Sequence, residues 1–349
     1  MGPGGGLCNF SVGALAAPER NLREPTSMRR AQLLIAILFL ILGLAAPLVV
    51  RSDYLFQVLF RVFLFAALGL AWNLVGGYAG QLSLGHAAYF GAGAYGLAVF
   101  SKAGIHPWLA LLLGVLLAVL FAALIGGVSF RLRGPYFTLA TIAFAEVLRV
   151  AAKNLAAVTG GDVGLQVPGL FVKSSGRSLY LAAVLLTAVA LCITAWVSRS
   201  KFGYYLMAIR EDEDTALSVG VNATRCKLRA LLISAALTAL GGGLYGSLFL
   251  FIVPDQVLSI DISSEMAIVA MLGGAGTFLG PLIGSVILES AAELLKNIFH
   301  EAHLLIYGLL IVLVVLFLPE GIAGTLAHRL RRKSAIAAPP FKAPGPVSS

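Results

Sequence analysis

Of the 349 residues, 59% are hydrophobic and only 12% are charged, and the mean hydropathy is +0.93. Charged residues run at about half the roughly 25% typical of soluble domains. That is too few to clothe a water-soluble core of this size, so a soluble enzyme, a nucleic-acid-binding protein and a disordered chain are all excluded.

A polytopic membrane protein remains, and its long apolar runs make it all-α. The net charge of +9 then reflects basic inner loops rather than an acidic partner. The three cysteines, Cys8, Cys192 and Cys226, are too scattered for a metal site or a disulfide framework.

Residues 1–27 are rich in Gly and Pro and carry no helical apolar period. They read as a disordered extension or a start-site artefact, with the native chain starting at Met28, where Arg29-Arg30 leads straight into an apolar run too long for a cleaved signal. The transmembrane domain is set at 28–326 and a basic tail inside the cell at 327–349. A bilayer core takes about 20 apolar residues per helix. Ten spans follow: 31–50, 54–75, 84–101, 107–130, 135–157, 178–198, 230–253, 263–273, 277–298 and 304–318. The eighth is too short to cross alone and reads as a broken helix ending in Gly273-Gly274-Ala275-Gly276.

With the N-terminus inside, 17 of the 25 Lys and Arg residues fall in inner segments and four in outer loops. A missed or invented span would mix the two sets, so both termini are assigned to the inside. Ten spans divide five and five around the outer loop 158–177, which suggests an inverted repeat. The Gly-rich breaks do not fall at corresponding spans of the two halves.

The segment from Asn73 to Ala88 places polar Asn73, Gln81, Ser83 and His86 among Gly77, Gly80 and Gly85, where the second span ends and the third begins. Irregular backbone at membrane depth must be buried in protein or line a water-filled cavity, and glycines permit tight turns and close helix approach. The four polar side chains are candidates for a pathway or gate. An ordinary tight helix connection with capping residues is the competing reading. Gly273, Gly274 and Gly276 form the second candidate hinge.

Farther along, Glu146, Arg149 and Lys153 share one helical face by their offsets of three and seven. Glu146 lies near mid-span, where a lone carboxylate is costly, so it is expected to be paired with Arg149 or neutral and to face the bundle interior, as a structural contact. Glu289, Glu293 and Lys296 repeat the spacing nearer a span end. His300 and His303, with only Glu301 nearby, read as interface residues rather than metal ligands.

The longest inner loop, Arg199 to Arg229, holds the stretch Ile209 to Gly220, a short helix with acidic residues early, as the helix dipole prefers. It reads either as an ordinary polar loop or as a docking helix for a soluble partner. Its pattern Asp214-Thr215-Ala216-x-x-x-Gly220 resembles the coupling-loop signature Glu-Ala-Ala-x-x-x-Gly of ABC importer permeases, with Asp for Glu and Thr for the first Ala. Glu211, Asp214, Thr215, Ala216 and Gly220 are therefore the candidate contacts to an ATPase.

Four further stretches, Gly77 to Ala88, Gly134 to Arg149, Thr159 to Gly164 and Leu272 to Pro281, resemble the LivM-type permease of branched-chain amino acid ABC importers. The resemblance covers about residues 31–326 in order. It implies a second, LivH-type permease, two ATP-binding subunits inside the cell, a periplasmic binding protein and a place in the bacterial inner membrane. Branched-chain or related hydrophobic amino acids are the implied cargo, with urea or short amides as the alternative.

No Gly-x-x-x-x-Gly-Lys-[Ser/Thr] loop occurs, so the chain holds no ATP-binding motif and no cofactor is expected in it. ATP is then used by the partner subunits. An intramembrane hydrolase built on Ser83 and His86 lacks a Gly-x-Ser-x-Gly elbow and an orienting carboxylate. A passive channel would not need a docking loop; a non-ABC channel or secondary transporter is the remaining alternative.

Overall fold

A computed structural model describes residues 26–50, 52–132, 134–171 and 176–298, with 308, 321 and 322. The helices are α1 (Thr26–Val49), α2 (Asp53–Asn73), α3 (His86–Lys102), α4 (Pro107–Ser129), α5 (Pro135–Asn154), α6 (Ala156–Thr159), α7 (Gly176–Arg199), α8 (Lys201–Glu211), α9 (Glu213–Ser218), α10 (Ala223–Phe249), α11 (Pro254–Val257), α12 (Ile260–Gly273) and α13 (Gly280–Ile298). A π-helical turn, Leu74–Tyr78, extends α2. Two short strands, β1 (Leu165–Gln166) and β2 (Phe251–Ile252), pair antiparallel, with Leu165 opposite Ile252.

The chain is an all-α, multi-pass membrane protein. Among the described residues, seven helical stretches are long and apolar enough to cross a bilayer. Helices also lie over nine of the ten expected segments in the expected order; 304–318 lies outside the described residues except for 308, as do 1–25, His300, Glu301, His303 and the 327–349 tail. One expectation needs correction. The eighth segment is not short, because α11 precedes α12 and the two make a 20-residue stretch, Pro254–Gly273. Pro254 opens that stretch at its first helical position, where its missing N–H costs nothing.

The layering inverts that of a soluble protein. Leu34, Leu38, Leu42, Leu112, Leu116 and Leu120 are exposed on α1 and α4, as helices facing lipid require. At the centre, α2 is buried nearly all round and packs against α7, α13, α10 and α12. Beside it, α3 is sandwiched between α4 and α10. Its sequence, rich in Gly and Ala, makes that possible: a Cβ on Gly93 would strike the Ala239 carbonyl, and one on Gly242 the Phe90 carbonyl. Small residues of this kind let helix backbones approach closely in a membrane.

Candidate functional site

The two glycine breaks, far apart in sequence, meet in space. Asn73, at the end of α2, donates Nδ2 to the Thr277 carbonyl at 3.0 Å and accepts the Gly276 N–H on Oδ1 at 2.7 Å. Its side chain thereby satisfies backbone groups freed where α12 ends, as a buried break demands. A Cβ on Gly77 would collide with Asn73 Oδ1 and the Gly276 nitrogen, so no larger residue fits at this crossing. Thr277 closes the turn: its hydroxyl donates to the Gly274 carbonyl at 2.7 Å and accepts the Gly280 N–H at 3.0 Å, at the start of α13. Gly80, Gly274 and Gly276 have φ of +67°, +124° and +79°. Gly273 abuts the Gly280 carbonyl, and Gly85 lies so close to Thr141 that a Cβ would stand 2.6 Å from its carbonyl oxygen.

The loop after α2 is held by a second set of polar contacts. Ser234 of α10 donates to the Ala71 carbonyl at 2.6 Å, so the 2.9 Å contact from His86 Nε2 must bring the proton from the ring. His86 Nδ1 is then the acceptor for the Ser83 hydroxyl at 3.0 Å. Trp72 Nε1 donates to the Ser83 carbonyl at 2.7 Å, and the Ala87 N–H donates to Ser263 Oγ of α12 at 2.7 Å. Thr138 of α5 donates to the Leu82 carbonyl at 2.7 Å.

Asn73, Ser83 and His86, three of the candidates for a pathway or gate, have no open side in this structure. All three are completely buried and engaged by protein partners, because a glycine break inside a bundle leaves main-chain groups that short polar side chains must satisfy. Gln81 alone of the four keeps an open side. Among the described residues no carboxylate bonds His86, whose two ring nitrogens are both taken by serines, so the buried imidazolium that a serine nucleophile would generate has no counter-charge.

The expected docking helix is two helices rather than one. Asp212 adopts extended backbone, φ −158° and ψ 114°, and stops α8. Its carboxylate then accepts the Thr215 N–H and caps α9, holding the Asp212 carboxyl below the usual range. Gly220, at φ +84°, ends the turn after α9. Ala216 is buried, while Glu211, Asp214, Thr215, Leu217 and Val219 are exposed. Lys227 of α10, almost fully buried, donates to Glu213 at 2.7 Å and pins α9 to the bundle.

A residue that sequence reasoning passed over connects the two regions. Arg210, in the last turn of α8, donates Nη1 to the Gly77 carbonyl at 2.8 Å. Its side chain also covers Gly80 and Gly276. The signal was present as an isolated Arg before the acidic run, but nothing local pointed to its target 133 positions away.

Glu146 and Arg149 do pair, with Arg149 Nε donating to Glu146 Oε2 at 2.9 Å. The expectation that Glu146 faces the interior is corrected: 51% of its side chain is exposed. The buried stripe of α5 runs through Phe137, Thr141, Ala145 and Ala152, and Glu146 lies off it. Arg149 also bonds Asp255 of α11, as does Lys153 Nζ at 2.7 Å, so the network ties α5 to α11. Glu289 is the more buried carboxylate, and it meets Arg61 of α2, a charge within an apolar span that the sequence reading did not single out.

The sequence matches a family profile described as branched-chain amino acid transport system, permease component, over residues 54–315. It is 30% identical over 332 residues to the high-affinity branched-chain amino acid transport system permease protein LivM of Salmonella typhimurium, covering 87% of this chain and 77% of that protein. The LivH permease protein of the same organism is 25% identical over 283 residues, 74% of this chain and 91% of its own. A LivM described as probable, from Methanocaldococcus jannaschii, is 25% identical over 61% of this chain and 68% of that protein. No solved structure matches the chain.

Proposed function

The chain belongs to the permease family of branched-chain amino acid transport systems, and from that membership we propose how its α8–α9 helices and its glycine breaks work together. It is a multi-pass permease subunit of an ABC importer for branched-chain amino acids, not an enzyme, and it acts with a second permease of the LivH kind. Two ATP-binding subunits inside the cell drive it, and a periplasmic binding protein delivers the cargo. The termini lie inside, and ten spans cross the inner membrane as two halves of five.

The observation that carries the coupling reading is the placement of α8 and α9. They project Leu217 and Val219 into solvent beside Asp214 and Thr215, and Arg210 ties the same unit to Gly77 and Gly276. Exposed apolar side chains on a polar loop are what a docking contact needs. Closure of the ATPases then moves α8–α9, and Arg210 passes the displacement to the glycine breaks, where α2 and α12 end. Asn73, Ser83 and His86 hold those breaks in register, and Gln81 faces the opening. Alternating access follows from rocking of the helices about the breaks.

The test is co-purification of the assembled importer. Leu217→Asp with Val219→Asp, or Gly220→Trp, is expected to release the ATPases while the permease pair stays intact. Full retention of the ATPases in both variants would place their docking surface elsewhere.

A further inference from the structure

A second charge cluster lies away from the glycine breaks, where α2, α12 and α13 meet. Arg61 of α2 approaches Glu289 Oε2 of α13 with Nε at 3.1 Å, and its Nη2 stands 3.9 Å from Glu265 Oε1 of α12. The Glu289 side chain is 3% exposed; among the described residues its Oε1 receives no N–H or O–H donor, and its carboxyl lies within hydrogen-bond reach of the Glu265 carboxyl. Arg61 and Glu265 keep 36% and 24% of their side chains open. Arg61 sits eight residues beyond Asp53, about 12 Å along the helix at 1.5 Å per residue. A guanidinium open to lipid at that depth is strongly disfavoured, so the open side faces protein or water.

The cluster is incomplete in two ways. Two carboxylates share one guanidinium, so a negative charge is in excess when both are ionised, and a desolvated oxygen of Glu289 is left without a donor. The guanidinium has five N–H donors and, among the described residues, one close contact, so it can still receive an anionic group. A ligand that completes both ends carries an ammonium and a carboxylate a few ångströms apart. From this arrangement, and resting on the amino-acid permease reading above, we propose that Arg61, Glu265 and Glu289 form a station for the head group of the transported amino acid.

The ammonium seats between Glu289 Oε1 and Glu265, and the α-carboxylate lies on the free edge of Arg61. The apolar side chain of the cargo needs no such help in an apolar bundle, whereas its charged ends do. Tyr54 bonds Glu293, one turn along α13 from Glu289, so the polar strip continues from the cluster toward the start of α2.

The test is uptake of labelled leucine into vesicles holding the complete importer, with ATP supplied to the ATPases. Arg61→Lys and Glu265→Gln are each expected to lower uptake about tenfold, the size of an effect from a broken charge-assisted contact. Both side chains are partly open, so neither change empties a sealed core. Glu289→Gln is expected to do the same at every pH between about 6 and 8, a range in which an ordinary carboxyl stays ionised.

Uptake within about twofold of wild type in Glu265→Gln and Glu289→Gln overturns the assignment, because Gln stands in for a protonated carboxyl and the cluster then needs only a proton. Loss of the second permease from purified Glu289→Gln complexes also overturns it, the seat then belonging to a basic side chain of that partner. If wild-type vesicles accumulate no leucine, the amino-acid permease reading itself fails.

Discussion

Arg210 Nη1 donates to the main-chain carbonyl of Gly77 across 2.8 Å, and the same guanidinium lies against Gly276. One side chain from α8 thus touches both breaks, at the end of α2 and between α12 and α13. The contact is partly buried, and a hydrogen bond from a charged group in such a place contributes roughly 1–2 kcal/mol. Arg210→Ala is expected to leave the ATPases bound but to lower amino-acid uptake several-fold. Arg210→Lys restores only part of it, since an ammonium is a point charge and lacks the planar fork. Wild-type uptake by Arg210→Ala would show the link to be idle.

Asn73 uses both ends of its amide, with Oδ1 on Gly276 and Nδ2 on Thr277. Asn73→Ala orphans a buried N–H and removes a donor to a carbonyl, for a loss of about 2–4 kcal/mol. Asn73→Asp keeps the acceptor but sets a carboxylate against the Thr277 carbonyl. Thermal unfolding of the purified permease pair in detergent checks whether both fall below wild type. An unchanged melting temperature in Asn73→Ala would mean that water replaces the amide.

The Ser83–His86–Ser234 chain is sealed and spans α3, α10 and the loop after α2. His86→Ala opens a cavity and strips both serines of a partner, so it is expected to cost about 3–5 kcal/mol, and Ser83→Ala about 1–2 kcal/mol. Uptake per folded complex should change less than stability does. The reverse pattern, normal melting with altered uptake, would return His86 to the pathway.

Asp212 has its carboxyl held below the usual range by the Thr215 N–H it accepts. A depressed folded value means that the cap is fully effective above the ordinary Asp range and is lost as pH falls through the lower, folded value. Hydrogen exchange at Thr215 is therefore expected to speed up only in acid below that ordinary range. Asp212→Asn keeps a capping oxygen without the titration, so its exchange protection should be flat with pH over the same interval. An acid step that persists in Asp212→Asn would assign it to another group.

The order of the long helices was legible because hydrophobic length is local: each helix declares itself within about 20 residues. The α8–α9 region showed itself through its acidic first turn and Gly220, yet the stop at Asp212 did not, since the same residue type serves a helix interior or a cap. The glycines were legible as breaks between helices. Their meeting through Asn73 was not, because Gly276 lies 203 positions from Asn73 and no local pattern encodes such a contact.

Composition and the length of the apolar runs alone determined that this chain lives in a bilayer and where its long helices run. These follow from the cost of taking charge and open backbone into hydrocarbon, and that cost is incurred residue by residue. Only the tertiary structure decided which polar groups are tools and which are fastenings. Asn73, Ser83 and His86 became buried fastenings, Glu146 turned outward, and Arg61, Glu265 and Glu289 came together from three helices. Burial and pairing depend on which helix faces pack together, and that is settled by the whole bundle at once.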